Sequence, residues 1–523
     1  MLFALLAACT TQQPTMAEGE LVFVRDAVIL PGVIDGGQII GDNRSILVHK
    51  WAPGEKITLG GHTGTAPARP ECRPLFHVPL SDVSRLAASG GVAPNSAVAF
   101  SPSGDRLAIG SFQGDLVVVD GWTGQELART ILPEAITKRL AWSSDGLTLY
   151  AGEQSPDAVL HALDPQTLKS KWAFRAADFV HSSPLPEGED RYAIFDLPGI
   201  YTMKVLENGD LFVVAVHGWN DSDGTRNNAS QVFRLNGLGE VIDRWPDKAV
   251  SATFLHTRVH EGEGSGSVLI NLNRSASGPA PEGLPFGGLA ILDLATLSLQ
   301  STASIEPLAP WFKAANLWQA MDYQASKGLF VGMGDGRVML KEPAPPHATR
   351  VDLSTGIPIM AGKVPIAASV GFGLFAADTL MYTTSDTNIP WGAAVGELRP
   401  PTHHPGANGL WVADLAGKPL WSWQGDLRIQ GLSISPSNTL GVIGGGHRSG
   451  GDAPPLYGAM VFDLSTPNDG RSGAERRVST CVTSNPVYFS HQVLDDGRIA
   501  VIQFPIPDGK GGITGSYRAT VLR

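Results

Sequence analysis

The chain has 523 residues, of which 43% are hydrophobic and 17% are charged, and its net charge at pH 7 is −11. This hydrophobic content is that of a globular protein with a sizeable core. The acidic balance lacks the basic stripe that phosphate binding requires, so we expect no nucleic-acid partner. The 61 glycines and 38 prolines favour many short strands joined by tight turns.

The first nine residues, MLFALLAAC, form a short apolar run that ends at a cysteine. A transmembrane helix needs about 20 apolar residues, so this run is too short and instead matches the apolar part of a signal peptide. Leu6-Ala7-Ala8-Cys9 resembles the lipobox of bacterial lipoproteins, although no Lys or Arg precedes the run. The resemblance implies that residues 1–8 are removed and that Cys9 carries the lipid that anchors the chain to a membrane.

A polar segment, residues 9–20, follows and predicts a tether between the lipid and the folded part of the chain. Thr10 stands where lipoproteins retained at the inner membrane carry Asp, so the resemblance implies an outer-membrane lipoprotein facing the periplasm. Exported proteins can form disulfides, and the two remaining cysteines, Cys72 and Cys481, are therefore a possible pair.

A repeated unit begins at residue 96 with SAVAFSPSGDRLAIGSFQGDLVVVDGWTGQELART. It predicts four short strands separated by SPSG, QG and TG turns, and the glycines suit tight turns that need positive φ. A second copy starts at Lys138, and its first hairpin recurs from Tyr201, Ala252, Leu317, Val370, Leu432 and Tyr488. Four antiparallel strands are the unit of a β-propeller blade, so we expect an all-β fold of about eight blades, with seven also possible.

The ends of the chain predict how the ring closes. YRATVLR at the C-terminus suits a third strand of the last blade, which leaves the fourth strand to the N-terminal region. Two segments are candidates, Pro74 to Ser81 and Leu21 to Leu30. A ring closed in this way removes exposed sheet edges. Length alone would suggest about three domains, but the repeats favour a single propeller domain over residues 21–523.

The repeats resemble propellers of the WD40-like and quinoprotein-like kind. Their third strands end in Asp or Asn before a turn, where that side chain can bond the backbone two residues on. Asp120-Gly121-Trp122-Thr123-Gly124 and residues 352–356, Asp-Leu-Ser-Thr-Gly, partly match the docking motif of quinoprotein dehydrogenases. Residues 206–211 and the hairpin of His491 faintly resemble arylsulfotransferase propellers, which use histidines near the axis.

In a propeller, the start of the first strand and the end of the second meet on one face of the ring. Several long connections between second and third strands, such as 217–230 and 385–409, are predicted on that face. Structureless loops of this length are often functional. The candidate ligand-binding residues there are Arg139, Tyr201, His217, His256, Trp318, His447 and His491, with Arg274, Asp335, Asp386, Gln430 and Arg448 beside them.

These features predict a binding or interaction scaffold at the bacterial envelope, with an envelope protein, a glycan or a small ligand as partner. The alternative is a periplasmic enzyme of the quinoprotein or arylsulfotransferase type with an axial His and Arg site. His titrates near neutrality and ligates metals, so an enzyme would need His256 and His491 to converge on one pocket. The sequence assigns no metal, cofactor or catalytic residue.

Overall fold

Tight turns build the hairpins of the fold. In the first repeat, Gly104 adopts φ 69°, and the Ser101 hydroxyl donates to the Asp105 carboxylate over 2.7 Å. Gly146 takes the same φ, 69°, in the second repeat. Such left-handed positions favour glycine because a Cβ would clash there. Each turn reverses the chain and starts an antiparallel pair, as predicted.

The computed structural model describes residues 72–80, 97–185, 197–254, 257–262, 266–274, 284, 288–304, 319–324, 327–334, 336–342, 349–389, 402–425, 427–446, 457–507 and 513–523, together with seven strands nearer the N-terminus. Those strands are β1 (Val22–Val24), β2 (Ala27–Leu30), β3 (Val33–Asp35), β4 (Gln38–Gly41), β5 (Ser45–Val48), β6 (Lys56–Leu59) and β7 (His62–Thr65). The lipobox and tether lie outside the described residues.

The remaining strands form eight blades, counted within the described residues. After β8 (Pro74–Pro79), blade 1 contains β9 (Ala97–Phe100), β10 (Arg106–Gly110), β11 (Asp115–Asp120) and β12 (Glu126–Ile131). Blade 2 contains β13 (Ile136–Trp142), β14 (Leu149–Gln154), β15 (Val159–Leu163) and β16 (Ser170–Arg175). Blade 3 contains β17 (Gly199–Val205), β18 (Leu211–Asn220), β19 (Arg226–Leu235) and β20 (Val241–Val250). A single bridge, Gln154 to Gly199, joins the sheets of blades 2 and 3.

Blade 4 contains β21 (Ala252–Thr253), β22 (Thr257–His260), β23 (Ser267–Arg274), β24 (Gly288–Asp293) and β25 (Leu299–Ser304). Blade 5 contains β26 (Gln319–Gln324), β27 (Leu329–Gly334), β28 (Arg337–Lys341) and β29 (Thr349–Asp352). Blade 6 contains β30 (Ile359–Ala361), β31 (Val364–Ala376), β32 (Thr379–Asn388), β33 (Gly409–Asp414) and β34 (Pro419–Gln424).

Blade 7 contains β35 (Arg428–Ile434), β36 (Leu440–Gly446), β37 (Gly458–Asp463) and β38 (Arg477–Val482). Blade 8 contains β39 (Val487–Val493), β40 (Ile499–Gln503) and β43 (Arg518–Leu522), with the hairpin β41 (Ile506–Pro507) and β42 (Ile513–Thr514) inserted between the last two. Two short helices are present in the described part, α1 (Ala177–Val180) and α2 (Gly473–Arg476). No helix in that part is long and apolar enough to cross a membrane.

Burial follows the position of each strand within its blade. The third strand of blade 1, DLVVVD, is buried along almost its whole length, whereas the outermost strand, ELARTI, alternates between exposed and half-buried residues. A central strand is covered on both faces by neighbouring blades, so it carries a continuous apolar run. The outermost strand reaches the rim of the ring and keeps one face in solvent.

Eight hydrophobic clusters fill the spaces between consecutive blades of the described chain. Blades 1 and 2, for example, share a cluster containing Val118 and Trp142, and blades 6 and 7 share one containing Val412 and Phe462. The cluster between blades 8 and 1 contains Val521 and Phe100. The same pattern holds for the other five pairs of neighbours. The cluster with Val521 and Phe100 places blade 8 against blade 1.

The N-terminal region supplies the fourth strand of the last blade. β8 pairs antiparallel with β43, with Pro79 opposite Arg518, so the sheet order of blade 8 is β39-β40-β43-β8. Of the two segments predicted for this position, the one starting at Pro74 occupies it. The other, around Leu21 to Leu30, lies in a separate three-stranded sheet, β1-β2-β5.

Cys72 and Cys481 are joined by a disulfide, with their Cα atoms 4.4 Å apart. Cys72 immediately precedes the closing strand β8, and Cys481 lies in β38 of blade 7. The bond therefore ties the N-terminal segment to the blade beside the one it completes. The two residues are separated by 409 positions in the chain, so the sequence alone could offer them only as a possible pair.

The Asp residues that end the third strands stabilise the turns that follow them. Asp120 accepts hydrogen bonds from the backbone N–H groups of Trp122 and Thr123 at 3.0 and 2.8 Å. Asp164, Asp293, Asp352, Asp414 and Asp463 accept comparable backbone hydrogen bonds. The predicted structural role of these residues is confirmed.

Candidate functional site

Most of the innermost strands contain a β-bulge near the same height in the ring. In blades 2, 3, 5 and 7, one residue of the innermost strand has no partner on the second strand: Lys138, Tyr201, Met321 and Gln430. The innermost strands of blades 6 and 8 also shift register there. A bulge bends the strand and redirects the side chains beside it. The bulges thus bring polar and charged residues to the inner edge of the ring.

Lys138 and Arg139 form the first part of the candidate site. The Lys138 ammonium donates to Gln154 Oε1 over 2.9 Å and lies 3.7 Å from the centre of the Tyr201 ring. Arg139 donates through Nε to the Tyr201 carbonyl at 2.8 Å and through Nη1 to the Lys138 carbonyl at 3.0 Å. Neither side chain forms an ion pair in the described part of the chain. Burial lowers the pKa of Lys138 well below its usual value.

Arg258 and Asp322 form the second part, on the innermost strands of blades 4 and 5. Arg258 Nε lies 3.9 Å from Asp322 Oδ1, and Asp322 Oδ2 accepts the backbone N–H of Phe375 in blade 6 over 2.7 Å. Burial raises the pKa of Asp322, while Arg258 opposes that rise. The two side chains retain 33% and 21% of their surface accessible to solvent, so solvent reaches the site.

The two parts interact electrostatically. Burial lowers the pKa of Arg139, and the positive charge of Arg258 lowers it further. Counting Lys138, three basic groups therefore lie at the inner edge of blades 2–4, and Asp322 contributes a carboxylate beside Arg258. A low-dielectric environment makes such an imbalance of charge costly.

The predicted histidines occupy different surroundings. Both ring nitrogens of His217 are used, Nδ1 on the Val180 carbonyl at 3.0 Å and Nε2 on the Ser183 hydroxyl at 2.9 Å. The His491 ring lies against Gly431 and Gly444 of blade 7, with Nδ1 2.8 Å from the Ser433 hydroxyl. Burial lowers the pKa of His491 to about 4. Both rings therefore hold neighbouring elements together.

Several of the predicted residues lie outside the described residues: Cys9, His256, Trp318, Asp335, His447 and Arg448. The structure describes the backbone of Arg274 in β23 and places Asp386 3.2 Å from Arg428 Nε. Among the predicted set, it brings Arg139 and Tyr201 together. No group of three or more His, Cys, Asp or Glu side chains in the described part is placed to hold a metal ion.

Sequence reasoning did not single out Lys138, Arg258 and Asp322. Each lies in a short innermost strand that packs between neighbouring blades. Such strands are otherwise mostly apolar, so a charged residue there is unusual. Lys138 is buried at 3% exposure, and long charged residues are rarely buried without a partner. A charge within a strand predicted to be innermost was the available indication, but the bulges at Lys138 and beside Asp322 have no sequence pattern of their own.

The connection between the second and third strands of blade 3 forms an exposed hairpin. β18 and β19 have ten residues each, compared with five and six for the equivalent strands of blade 1. Asp221, in a segment with the spacing of a calcium loop, instead accepts hydrogen bonds from Trp219 Nε1 at 3.2 Å and Asn227 Nδ2 at 2.6 Å. The tip is thus a self-supported polar turn.

No protein-family model matches the chain, and no curated protein is similar to it in sequence. Solved structures are similar in fold. The Dos1 propeller aligns at 14% identity and TM-score 0.49, covering 86% of this chain and 94% of that one. The C-terminal WD40 domain of Sif2 aligns at 12% identity and TM-score 0.45, covering 82% and 97%. BamB from Moraxella catarrhalis aligns at 10% identity and TM-score 0.39, covering 83% and 96%.

The described chain is thus an all-β protein of the β-propeller class, and the predicted fold class is confirmed. The strand order of its repeated four-stranded sheets defines that class.

Proposed function

We propose that this protein is a lipid-anchored propeller of the bacterial envelope that acts as a binding scaffold for an envelope protein. The observation that carries the scaffold proposal is the hairpin of blade 3, whose tip, residues 220–225, is exposed and rigidly braced by its own hydrogen bonds. A rigid ring that presents a braced, exposed loop suits recognition of a partner.

The disulfide supports export of the chain. Disulfides form and persist in oxidising compartments such as the bacterial periplasm and are rare in the cytosol. The Cys72–Cys481 bond joins two distant parts of the chain, as an exported protein permits. Together with the lipobox-like Leu6–Cys9 segment, it favours a periplasm-facing position, with the outer membrane as the site of attachment.

The roles of the histidines favour a scaffold over an enzyme. An axial active site of the predicted kind would use His491 for proton transfer or ligation. In this fold its ring is packed on the glycines of blade 7 and bonded to Ser433. His217 likewise uses both of its nitrogens on structural partners.

The anchor is tested by the mass of the protein extracted from its native membrane and denatured. We expect loss of residues 1–8 and addition of a diacylglyceryl group at Cys9. Cys9→Ala should release the protein from the membrane fraction, whereas Thr10→Ala should leave it lipidated. An unmodified Met1 or Cys9 would refute the anchor.

The scaffold role is tested by site-specific photo-crosslinking in whole cells. A photoreactive residue at Ser222, on the exposed tip, should yield a discrete protein adduct. The same residue at Leu147, which is 62% exposed on the opposite face of the ring, should not. When the crosslinking is repeated in lysed cells, excess purified protein should compete for the adduct, but protein in which Asn-Gly replaces residues 220–226 should not. Equal competition by both would contradict the proposal.

A further inference from the structure

The inner edge of blades 2–4 contains an arginine with spare hydrogen-bonding capacity. Arg139 uses Nε and one N–H of Nη1 on two main-chain carbonyls. A guanidinium carries five N–H donors in a planar fork, so its outer edge, Nη2 included, is left for another acceptor. The described part of the chain supplies no carboxylate to it, although Arg139 is largely surrounded by protein.

The surroundings of Arg139 add positive rather than negative charge. Lys138 precedes it, and its ammonium lies over the Tyr201 ring and forms no ion pair with a carboxylate among the described residues. Arg258 approaches from blade 4 closely enough for its charge to act on Arg139. Asp322 lies 3.9 Å from Arg258 Nε. Buried cations that are not balanced by counter-ions are costly, and among the described residues here the basic groups outnumber the carboxylate of Asp322.

We propose that the inner edge of the ring binds the carboxylate group of a small molecule, which the free edge of the Arg139 guanidinium holds and which Lys138 and Arg258 stabilise. A guanidinium fork matches the two oxygens of a carboxylate. Asp322 is the physical reason for choosing a singly charged group, because its own negative charge disfavours a doubly charged phosphate nearby.

The site is accessible. Arg139 keeps part of its surface in contact with solvent, as do Arg258 and Asp322. It lies in the middle of β13, beside a bulge of the kind found next to binding sites. The proposal goes beyond the scaffold function, since it concerns a ligand inside the ring and not the exposed hairpin. Its failure would leave the crosslinking and mass tests unaffected.

Calorimetric titration of the detergent-solubilised full chain tests the proposal, with sodium propionate as the ligand. Propionamide is its neutral counterpart, inorganic phosphate is the doubly charged competitor, and sodium chloride keeps the ionic strength constant. We expect saturable binding of propionate, at least tenfold weaker binding of propionamide and phosphate, and at least tenfold weaker binding of propionate to Arg139→Met.

Two further variants distinguish a loss of ligand binding from a loss of folding and from the effect of removing any one positive charge. Arg139→Lys keeps the charge but loses the fork, so it should fold and still bind propionate about tenfold more weakly. Arg175→Met removes an exposed arginine that pairs with Asp157 and Asp178 and should bind as the wild type does. Absence of saturable propionate binding, or equal binding by the wild type and the Arg139 variants, would overturn the proposal. Phosphate binding as tight as propionate binding would overturn the assignment to carboxylates.

Discussion

Two arginines at the contacts between blades, the buried Arg498 and the partly exposed Arg139, have opposite surroundings. Arg498, between blades 8 and 1, donates through Nη1 to the carbonyls of Gly104 and Gly121, each over 2.7 Å. It also pairs with Asp496 at 2.8 Å and stacks 3.7 Å above the Trp122 ring. Arg139, between blades 2 and 3, donates to two carbonyls and pairs with no carboxylate among the described residues. The hydrogen-bond donors of Arg498 are used within the fold, so this residue stabilises the contact between blades. Arg139 keeps donors that a ligand could use.

Substitution by Met at each of the two positions should distinguish these roles. The larger loss in the free energy of unfolding is expected at Arg498. Arg498→Met leaves two buried carbonyls without donors and removes the stacking on Trp122. We expect a loss of about 3–5 kcal/mol in the free energy of unfolding, measured by urea denaturation. A loss below about 1 kcal/mol would show that the contact between blades 8 and 1 does not depend on this residue.

The disulfide at the neighbouring contact, between blades 7 and 8, should rank next. Replacing both Cys72 and Cys481 with Ser should lower the free energy of unfolding by about 2–4 kcal/mol, because the unfolded chain regains the freedom that the bond removes. Thermal denaturation with and without reductant provides the measurement. Cys9→Ser is the control, and its unfolding should be unchanged; an equal effect of reductant on the double variant would contradict the prediction.

At the contact between blades 7 and 8, His491 should make the free energy of unfolding depend on pH. Burial lowers its pKa to about 4, below the value of about 6.5 for an unfolded chain. Protonation therefore favours the unfolded state, so the contribution is fully present above about pH 6.5 and is lost as the pH falls towards 4. We expect a loss of about 2–3 kcal/mol over this range from this residue.

His491→Gln should remove that part of the pH dependence, so its free energy of unfolding should fall less steeply between pH 6.5 and 4 than that of the wild type. Denaturation midpoints at four pH values suffice for the comparison. Parallel curves for the two proteins would show that the ring is accessible to protons in the folded state.

The smallest effect is expected at Arg139. Arg139→Met removes two hydrogen bonds to carbonyls but also removes the repulsion between Arg139 and Arg258. Without ligand, the free energy of unfolding should change by less than about 1 kcal/mol. Urea denaturation alongside Arg498→Met gives the matched comparison. A loss as large as that at Arg498 would make Arg139 a structural residue and weaken the ligand proposal.

The repeats allowed much of the architecture to be predicted because they are local. A turn such as Ser-Pro-Ser-Gly and the apolar run that follows it specify a hairpin within about ten residues. The Asp that ends each third strand bonds to the turn beside it, as at Asp120. These features depend on neighbours in the chain, so each could be recognised where it stands. The use of residues from Pro74 for the closing strand was one of two predicted possibilities.

The candidate site was only partly predictable. Arg139 and Tyr201 were predicted from their positions at the starts of innermost strands, and the structure brings them together. His491, at the start of an innermost strand, and His217, at the end of a second strand, were predicted to join the same site, yet their rings contact the glycines of blade 7 and Val180. A side chain on an innermost strand can point to the axis or to either neighbouring blade, and a bulge of one residue decides which.

The sequence by itself determined the all-β class, the four-stranded repeat and the turns, because these follow from local alternation, glycine positions and short-range hydrogen bonds. Only the tertiary structure decided that Cys72 meets Cys481, that Arg498 joins blade 8 to blade 1, and that Arg139 lies near Arg258 without an ion pair to a described carboxylate. These contacts join residues far apart in the chain, and their partners are chosen by the packing of one blade against the next.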